Sequence, residues 1–459
     1  MTSSTTLDDL LERTEGAVLR PGDADYDRAR SGFQTAYRHR PSVLVAAAGV
    51  ADVRAAVRYA AAAGLPVAVQ ATGHGLTAAT EGGVLVDTAA LAEVRVDPVA
   101  RTARVAAGTR WGQVVDEAAR YGLAPLSGSS PGVGVVGYTL GGGLGVLGRE
   151  YGYAADHVRA AELVTADGSV RRVTASSAET NAELFWALRG GGGNFGVVTA
   201  LEVGLVPVRR LYGGGLYFDT ALVPDVLATY REWTATVPDG LTSSVGLIPY
   251  PDLPMVPEPL RGRNVAHVRI AYPGSADDGE RLVAPLRAVG PRMIDTLGEL
   301  PYTSAAAIYR DPELPHGYLG TNALLRELAE PVAPAILDLV GPDSPVPCVV
   351  QLNHLGGALS RPPSVPNAVA HRAAKYLVRV LAVVAGTGPS PAHRAPTRLT
   401  DALREWTLGR SPNFVFGEGG GARTEDCYPA DTYRRLARVK SAVDPANLFR
   451  ANLNIPPAA

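Results

Sequence analysis

Residues 128–148 read GSSPGVGVVGYTLGGGLGVLG. Apolar side chains are threaded between the glycines: Val133, Val135, Val136, Leu140, Leu144, Val146 and Leu147. A solvated Gly/Ser spacer lacks that threading. Glycine permits positive φ and leaves backbone N–H groups open to a bulky partner, so the stretch reads as main chain wrapped around a large ligand. Two more clusters, GGGGNFG at 190–196 and GEGGG at 417–421, repeat the signal. Glycine accounts for 51 of 459 residues, above the usual ~7%, and it is concentrated in these places.

Outward from this stretch, short apolar strands alternate with amphipathic helices. VLVAAA from residue 43 precedes DVRAAVRYAAAAG, a helix with Val53, Val57 and Ala60 on one face, Asp52 at its start and Gly64 at its end. LPVAVQATGHG, ending at Gly75, is a strand entering a turn. VLVDTAAL and VRVDPVARTARVAAG read as strand and hairpin, and WGQVVDEAARYG as the helix feeding the glycine stretch. AAELVTADGSVRRVTA is a hairpin turning at Asp167-Gly168, NAELFWALRG a helix and VVTALEVGLVPV a strand. Beyond Val208, helical and strand periods alternate between Pro-rich loops, and YRRLARVKSAV is a late helix closed by Asp444-Pro445. The expectation is an α+β protein with a first domain over 1–206, a second over 207–400, and a segment 401–459 that folds back on the first. No fixed internal period argues for a solenoid or propeller.

Charge and cysteine content narrow the function classes. Lys and Arg number 43 against 45 Asp and Glu, a net charge of -2, with no dense basic run. A protein built to neutralise nucleic-acid phosphates needs such runs, so the partner expected is a small molecule. Cys348 and Cys427 are the only cysteines, too few for a disulfide framework or a Cys-rich zinc knuckle. The start, MTSSTTLDDLLERTEG, carries no signal-peptide pattern, and no window approaches the ~18 apolar residues of a membrane span. A cytoplasmic location without membrane contact is the expectation. No histidine pair has metal-ligand spacing, so no metal is expected. Oligomeric state is not readable.

Two short motifs match formally but lack context. Gly132-Val-Gly134-Val-Val-Gly137 satisfies G-x-G-x-x-G, yet APLSGSSP before it is turn-like and more glycine, not a helix, is expected after it. Gly128-Ser-Ser130-Pro-Gly132 satisfies the nucleophile-elbow pattern, yet Pro131 removes an N–H where an oxyanion donor is needed. His74 stands apart from the other histidines because it ends a strand inside Ala71-Thr-Gly73-His74-Gly75. On that segment alone a loop histidine whose ring caps a carbonyl is the favoured reading.

Taken in order, PVAVQATGHG, GGVLVDTAAL, PGVGVVGYTLGGGLG, ADHVRAAELVTADGSV, NAELFWALRGGGGNFGVVTALEV, QLNHLGGALSR and YRRLARVKSAVDPANLFRANLNIPP cover nearly the whole chain. They resemble the FAD-linked oxidases of the vanillyl-alcohol-oxidase (PCMH-type) fold, and within it the berberine bridge enzyme-like branch. The resemblance implies a two-lobed PCMH-type FAD-binding domain plus a substrate domain with an antiparallel sheet backed by helices. It implies FAD linked covalently through the His74 ring to the flavin 8α carbon. Ala71, Thr72, Gly73, His74 and Gly75 would cradle the pyrophosphate. Gly128 to Gly137, with Ser129, Ser130, Val133 and Gly134, would border the isoalloxazine, and Gly141, Gly142 and Gly143 the ribityl side. Gly192, Asn194, Gly196 and Val197 would contact the cofactor from the second cluster, and Asn413 joins the cofactor-binding set. Three departures stand out. Ser130 aligns with a cysteine that in many members makes a second link to flavin C6, so no cysteinyl link is expected. Leu144 replaces an aromatic residue. Ser411-Pro412-Asn413 replaces Tyr-x-Asn, which removes the customary proton-abstracting tyrosine.

Flavin oxidation of an alcohol or C–H bond requires a hydride acceptor, a group that takes the accompanying proton, and a pocket that holds the donor carbon near the flavin. Tyr138, Tyr428 and Tyr433 are the candidates for the proton-accepting role. An acidic substrate, such as a phenol or reduced quinone, needs no strong protein base. Tyr250, Tyr272, Tyr302, Tyr309 and Trp406 are candidates for the pocket wall. By resemblance, Val133 occupies a place that influences oxygen access, which favours reoxidation by O2 with release of hydrogen peroxide. The expected activity is that of an FAD-dependent oxidase on a secondary-metabolite or sugar-like molecule. The alternative is a flavin-containing protein that binds and sequesters a drug-like compound with little turnover.

Overall fold

Three sheets organise the chain, and each follows from the spacing of its apolar residues. The computed structural model describes residues 6–340, 348–384, 391–417 and 423–458. In the first sheet Val43–Ala46 pairs parallel with Val84–Asp87, which pairs parallel with Val67–Gln70, and Ala17–Leu19 adds antiparallel at the other edge. These strands are nearly continuous apolar runs because both faces are covered. Helix Val50–Ala63 connects Val43–Ala46 to Val67–Gln70 and buries Val53, Ala56, Val57 and Ala60. It ends at Gly64, whose φ of 65° suits a left-handed cap. Gly49, not Asp52, is the N-cap; the buried Asp52 carboxylate instead accepts from the N–H groups of Glu15, Gly16 and Ala48 at 2.8–2.9 Å and ties down the N-terminal segment.

The second sheet is antiparallel, ordered Val94–Asp97, Thr102–Ala106, Val197–Gly204, Val158–Val164, Val170–Thr174. Helices Trp111–Ala119, Glu179–Leu188 and Ala430–Val443 contribute buried residues to the same core. The third sheet has nine antiparallel strands between Arg210 and Gly409. One face packs Val268, Ile270, Val245, Leu352 and Val378 against helices Val223–Thr234, Ala276–Arg287, Val332–Val340 and Arg394–Ala402. The opposite face looks toward the glycine segments.

Two expectations change. The G-x-G-x-x-G stretch opens directly into helix Val135–Leu140, because Val135, Val136 and Leu140 find a core to bury in. The return expected at residue 401 comes later: Thr407–Gly409 still pairs with Tyr318–Leu325, so sheet hydrogen bonding holds the chain in the central unit through Gly409. Of the cluster at 417–421, residues 418–421 lie outside the described residues. Among the described residues no helix is long and apolar enough to cross a membrane, and no group of His, Cys, Asp or Glu could hold a metal ion.

Candidate active site

All three sheets border one cavity of about 620 Å³. Its first wall is the turn after strand Val67–Gln70. Gly73 takes a φ of 69° and lies so close to Gly32 that a Cβ would sit 2.6 Å from the Gly32 Cα, so only glycine fits. The turn is held by its carbonyls. Thr72 O accepts from Phe33 N at 2.9 Å, Gly73 O from Gln34 N at 3.0 Å, and His74 O from the Tyr318 hydroxyl at 2.6 Å. Among the described residues no group accepts from the N–H groups of Thr72 to Gly75. A row of free N–H groups facing a cavity is a nest for an anion.

His74 projects from this turn into the cavity wall. Its ring stacks on Phe33 with centroids 3.9 Å apart, and Nδ1 lies 2.9 Å from Thr72 Oγ1. Nε2 is buried without a partner among the described residues. Burial, and secondarily the charge of Arg110, lowers its pKa to about 4, so the imidazole is neutral near pH 7.

The second wall is the glycine stretch. Gly128, Ser129, Ser130, Val133, Gly134, Gly137 and Gly141 line the cavity, as do Gly192, Asn194, Gly196 and Asn413. A Cβ built on Gly75, Gly137 or Gly193 would meet no protein atom within 4 Å, so their missing side chains are cavity volume. Asn413 Nδ2 donates to Tyr138 O at 2.8 Å. The Asn194 amide is committed elsewhere: Nδ2 donates to Gly191 O and Leu453 O, and Oδ1 accepts from Ile455 N, clasping the C-terminal segment.

Three sequence candidates fall away from the cavity. Gly142 and Gly143 turn their carbonyls to Ala155 N and Ala154 N, docking the chain on that loop. Val197 is fully buried in the core beside the first sheet. Tyr138 and Tyr428 do line the cavity, and both are also packed into its wall. Burial raises the Tyr138 and Tyr428 phenols well above 10. The Tyr428 hydroxyl donates to Gly190 O at 2.9 Å, and Tyr138 lies within 3.5 Å of Leu126 O. Tyr433 packs beside Tyr428, outside the lining. Of the aromatic candidates for the wall, Tyr250 and Tyr309 line the cavity, whereas Tyr272, Tyr302 and Trp406 pack in cores.

The third wall belongs to the expected antiparallel sheet, but its polar residues are not among the sequence candidates. It is the open face of the nine-stranded sheet, where register aligns Gly246 with Gln351 and Gln351 with Arg379, and Ser244 with Arg269 and with Asn353. Arg269, Gln351, Asn353 and Arg379 all line the cavity. A partial signal is present in the strands NVAHVRIAY, CVVQLNH and YLVRVLAV, where His267, Arg269, Gln351, Asn353 and Arg379 share one parity with several apolar residues. Tyr318, beside the turn carrying His74, was also missed.

The residues present fit FAD: an anion nest, a glycine-walled trough and a neutral histidine with a free ring nitrogen lie along one cavity. Comparison with known proteins agrees. The FAD binding domain family matches residues 41–174, and the "Berberine and berberine like" family matches residues 415–456. The chain is 31% identical to (R)-6-hydroxynicotine oxidase of Paenarthrobacter nicotinovorans, covering 96% of this chain and 97% of that one. It is 27% identical to chitooligosaccharide oxidase of Gibberella zeae, covering 96% and 93%. Among solved structures, 6-hydroxy-D-nicotine oxidase from Arthrobacter nicotinovorans superposes with a TM-score of 0.80 at 28% identity over 97% of this chain and 98% of that one. Xylooligosaccharide oxidase from Myceliophthora thermophila, with xylobiose, superposes at 0.85 over 98% and 99%, and at 20% identity it speaks for the fold alone. Fold and site therefore define an FAD-linked oxidoreductase. The chain belongs to the berberine bridge enzyme-like family of FAD-dependent oxidases.

Proposed function

We propose that the protein oxidises a small molecule with FAD attached through the His74 imidazole alone, and that O2 is the electron acceptor. The observation that carries this reading is His74 itself: a neutral ring with an unpartnered nitrogen, held against Phe33 in the wall of the cavity that also bears the N–H row of Thr72 to Gly75. When bound, FAD supplies a two-electron acceptor for hydride from the substrate and passes the electrons to O2, giving peroxide. The chain does the rest. Thr72 to Gly75 bind the pyrophosphate, the glycine stretch admits the ring system, and the sheet face positions the substrate.

A single attachment follows from the thiols. Ser130 stands in the cavity, while Cys348 and Cys427 are buried outside its lining. Burial raises the phenols of Tyr138 and Tyr428, which line the cavity and remain the candidates for the proton-accepting role, and a substrate group that is already acidic would suit such a site. Relatives named as oxidases of hydroxynicotine and of oligosaccharides favour turnover over sequestration and support the reading of a secondary-metabolite or sugar-like substrate.

The test is acid precipitation of the yellow protein followed by peptide mass analysis. Flavin should stay with the peptide containing His74, and His74→Ala should release it to the supernatant. Colour leaving the unaltered protein with the acid supernatant would end the attachment proposal. Peroxide formation on a substrate panel tests turnover separately.

A further inference from the structure

We propose that the substrate carries a carboxylate, and that Arg379 and Arg269 on the open face of the nine-stranded sheet hold it. The proposal rests on the oxidase reading of the cavity and adds the chemical class of substrate. Arg269 is 4% exposed. Its Nε donates to His267 Nδ1 at 3.1 Å, its guanidinium lies over the Tyr309 ring at 4.8 Å, and its Nη1 is buried without a partner among the described residues. Arg379 lies over the Phe414 ring at 4.9 Å and donates from Nε to Gln351 Oε1 at 3.0 Å. That bond occupies the Gln351 acceptor and leaves its amide nitrogen, also buried, without a partner.

Among the described residues no carboxylate forms an ion pair with either arginine. The one acidic residue in the lining, Asp311, accepts from the Ser129 hydroxyl. Burial disfavours the Arg379 cation; the Asp311 carboxylate favours it from a distance without forming an ion pair, and Arg269 repels it, so negative charge in direct contact with the two guanidiniums is still lacking. The free groups they present with Gln351 are donors. A carboxylate accepts in two directions and supplies the missing charge, whereas a neutral sugar would leave both cations unpaired. The cofactor phosphates have their own N–H row on the Thr72–Gly75 turn. Around the arginines, Ile248, Val349, Leu381, Tyr309 and Phe414 make much of the wall apolar, with Asn353 among its polar residues, so the acid fits best as an aromatic or apolar one.

Calorimetric titration of the flavin-loaded protein with benzoate, 4-hydroxybenzoate and cinnamate, each against its own amide, tests this directly. Each acid should bind about tenfold or more tightly than its amide. Arg379→Met and Arg269→Met should each bring the acid to the affinity of the amide while leaving the amide within about twofold, and Arg379→Lys should restore part of the preference. Arg379→Met suffices if Arg269→Met does not fold. Acids and amides binding alike, or neither binding, would overturn the proposal, as would a preference that survives Arg379→Met. Loss of flavin from Arg379→Met with acid binding intact would assign that arginine to the cofactor and overturn it too. Arginine-dependent acid binding without turnover of any substrate would remove the oxidase reading alone. Turnover of neutral substrates with no acid preference would remove this proposal alone.

Discussion

Gly141 shows how tightly a single position is fixed in the trough. Its φ of -87° is ordinary for any residue, so space, and not backbone conformation, excludes a side chain. A Cβ there would lie 1.8 Å from Asn413 Oδ1 and 2.7 Å from its Cγ. Asn413 would have to swing away and give up its bond to Tyr138 O. Gly141→Ala should therefore cost about 1–3 kcal/mol of stability and lower the flavin content of the purified protein, read by urea unfolding and by the ratio of flavin to protein absorbance. The strand-to-turn placement of His74 is legible within one short segment, but its role toward a flavin is legible only from the order of motifs along the whole chain. The free state of its Nε2 is legible in neither, since Phe33 and Tyr318 come from other parts of the chain.

Helix Ala430–Val443 is the element that locks the C-terminal segment to the cofactor side. Its amphipathic pattern was readable, but the sequence marks Lys440 only as one of two lysines. In the structure Lys440 is wholly buried, and its Nζ donates to Asp444 Oδ2 at 2.6 Å, Asn194 O at 2.7 Å and Phe449 O at 2.8 Å. Asp444 in turn accepts from Leu448 N and Phe449 N. Removing one partner of such a buried pair strands the other charge, so Lys440→Met should destabilise the fold by roughly 3–5 kcal/mol, measured by denaturant unfolding at pH 7. Flavin content should fall with it, because Asn194 clasps Leu453 and Ile455 at the cavity edge. Among strands, the alternation in CVVQLNH and YLVRVLAV gives Gln351 and Arg379 to one face. Which face meets the cavity depends on pairing partners far apart in sequence.

At the scale of the whole molecule, burial of histidines sets an acid limit. The Thr80 N–H donates to His39 Nδ1 at 3.0 Å, and burial, then the charge of Arg30, lowers that ring to about 4. Burial, then Arg149, lowers His354 to about 3. In the unfolded chain these rings take up protons near pH 6.5, while the folded protein does not until pH 4 or below. The unfolded state thus binds more protons in that window, and stability is full above pH 6.5 and falls as pH drops toward 4. The midpoint of urea unfolding should decline over that range. His39→Asn, whose Oδ1 can accept the same Thr80 bond, should make the decline shallower without lowering the midpoint at pH 7 by as much.

The fold class, the glycine-walled trough and the place of His74 were determined by the sequence itself, because periodicity, turn chemistry and glycine clustering act within a few residues of one another. The third wall was decided by tertiary structure. Gln351 and Arg379 pair directly on adjacent strands, Arg269 reaches the same face from across strand Thr242–Pro249, and the arginine charges have meaning only once burial has removed the water that would screen them.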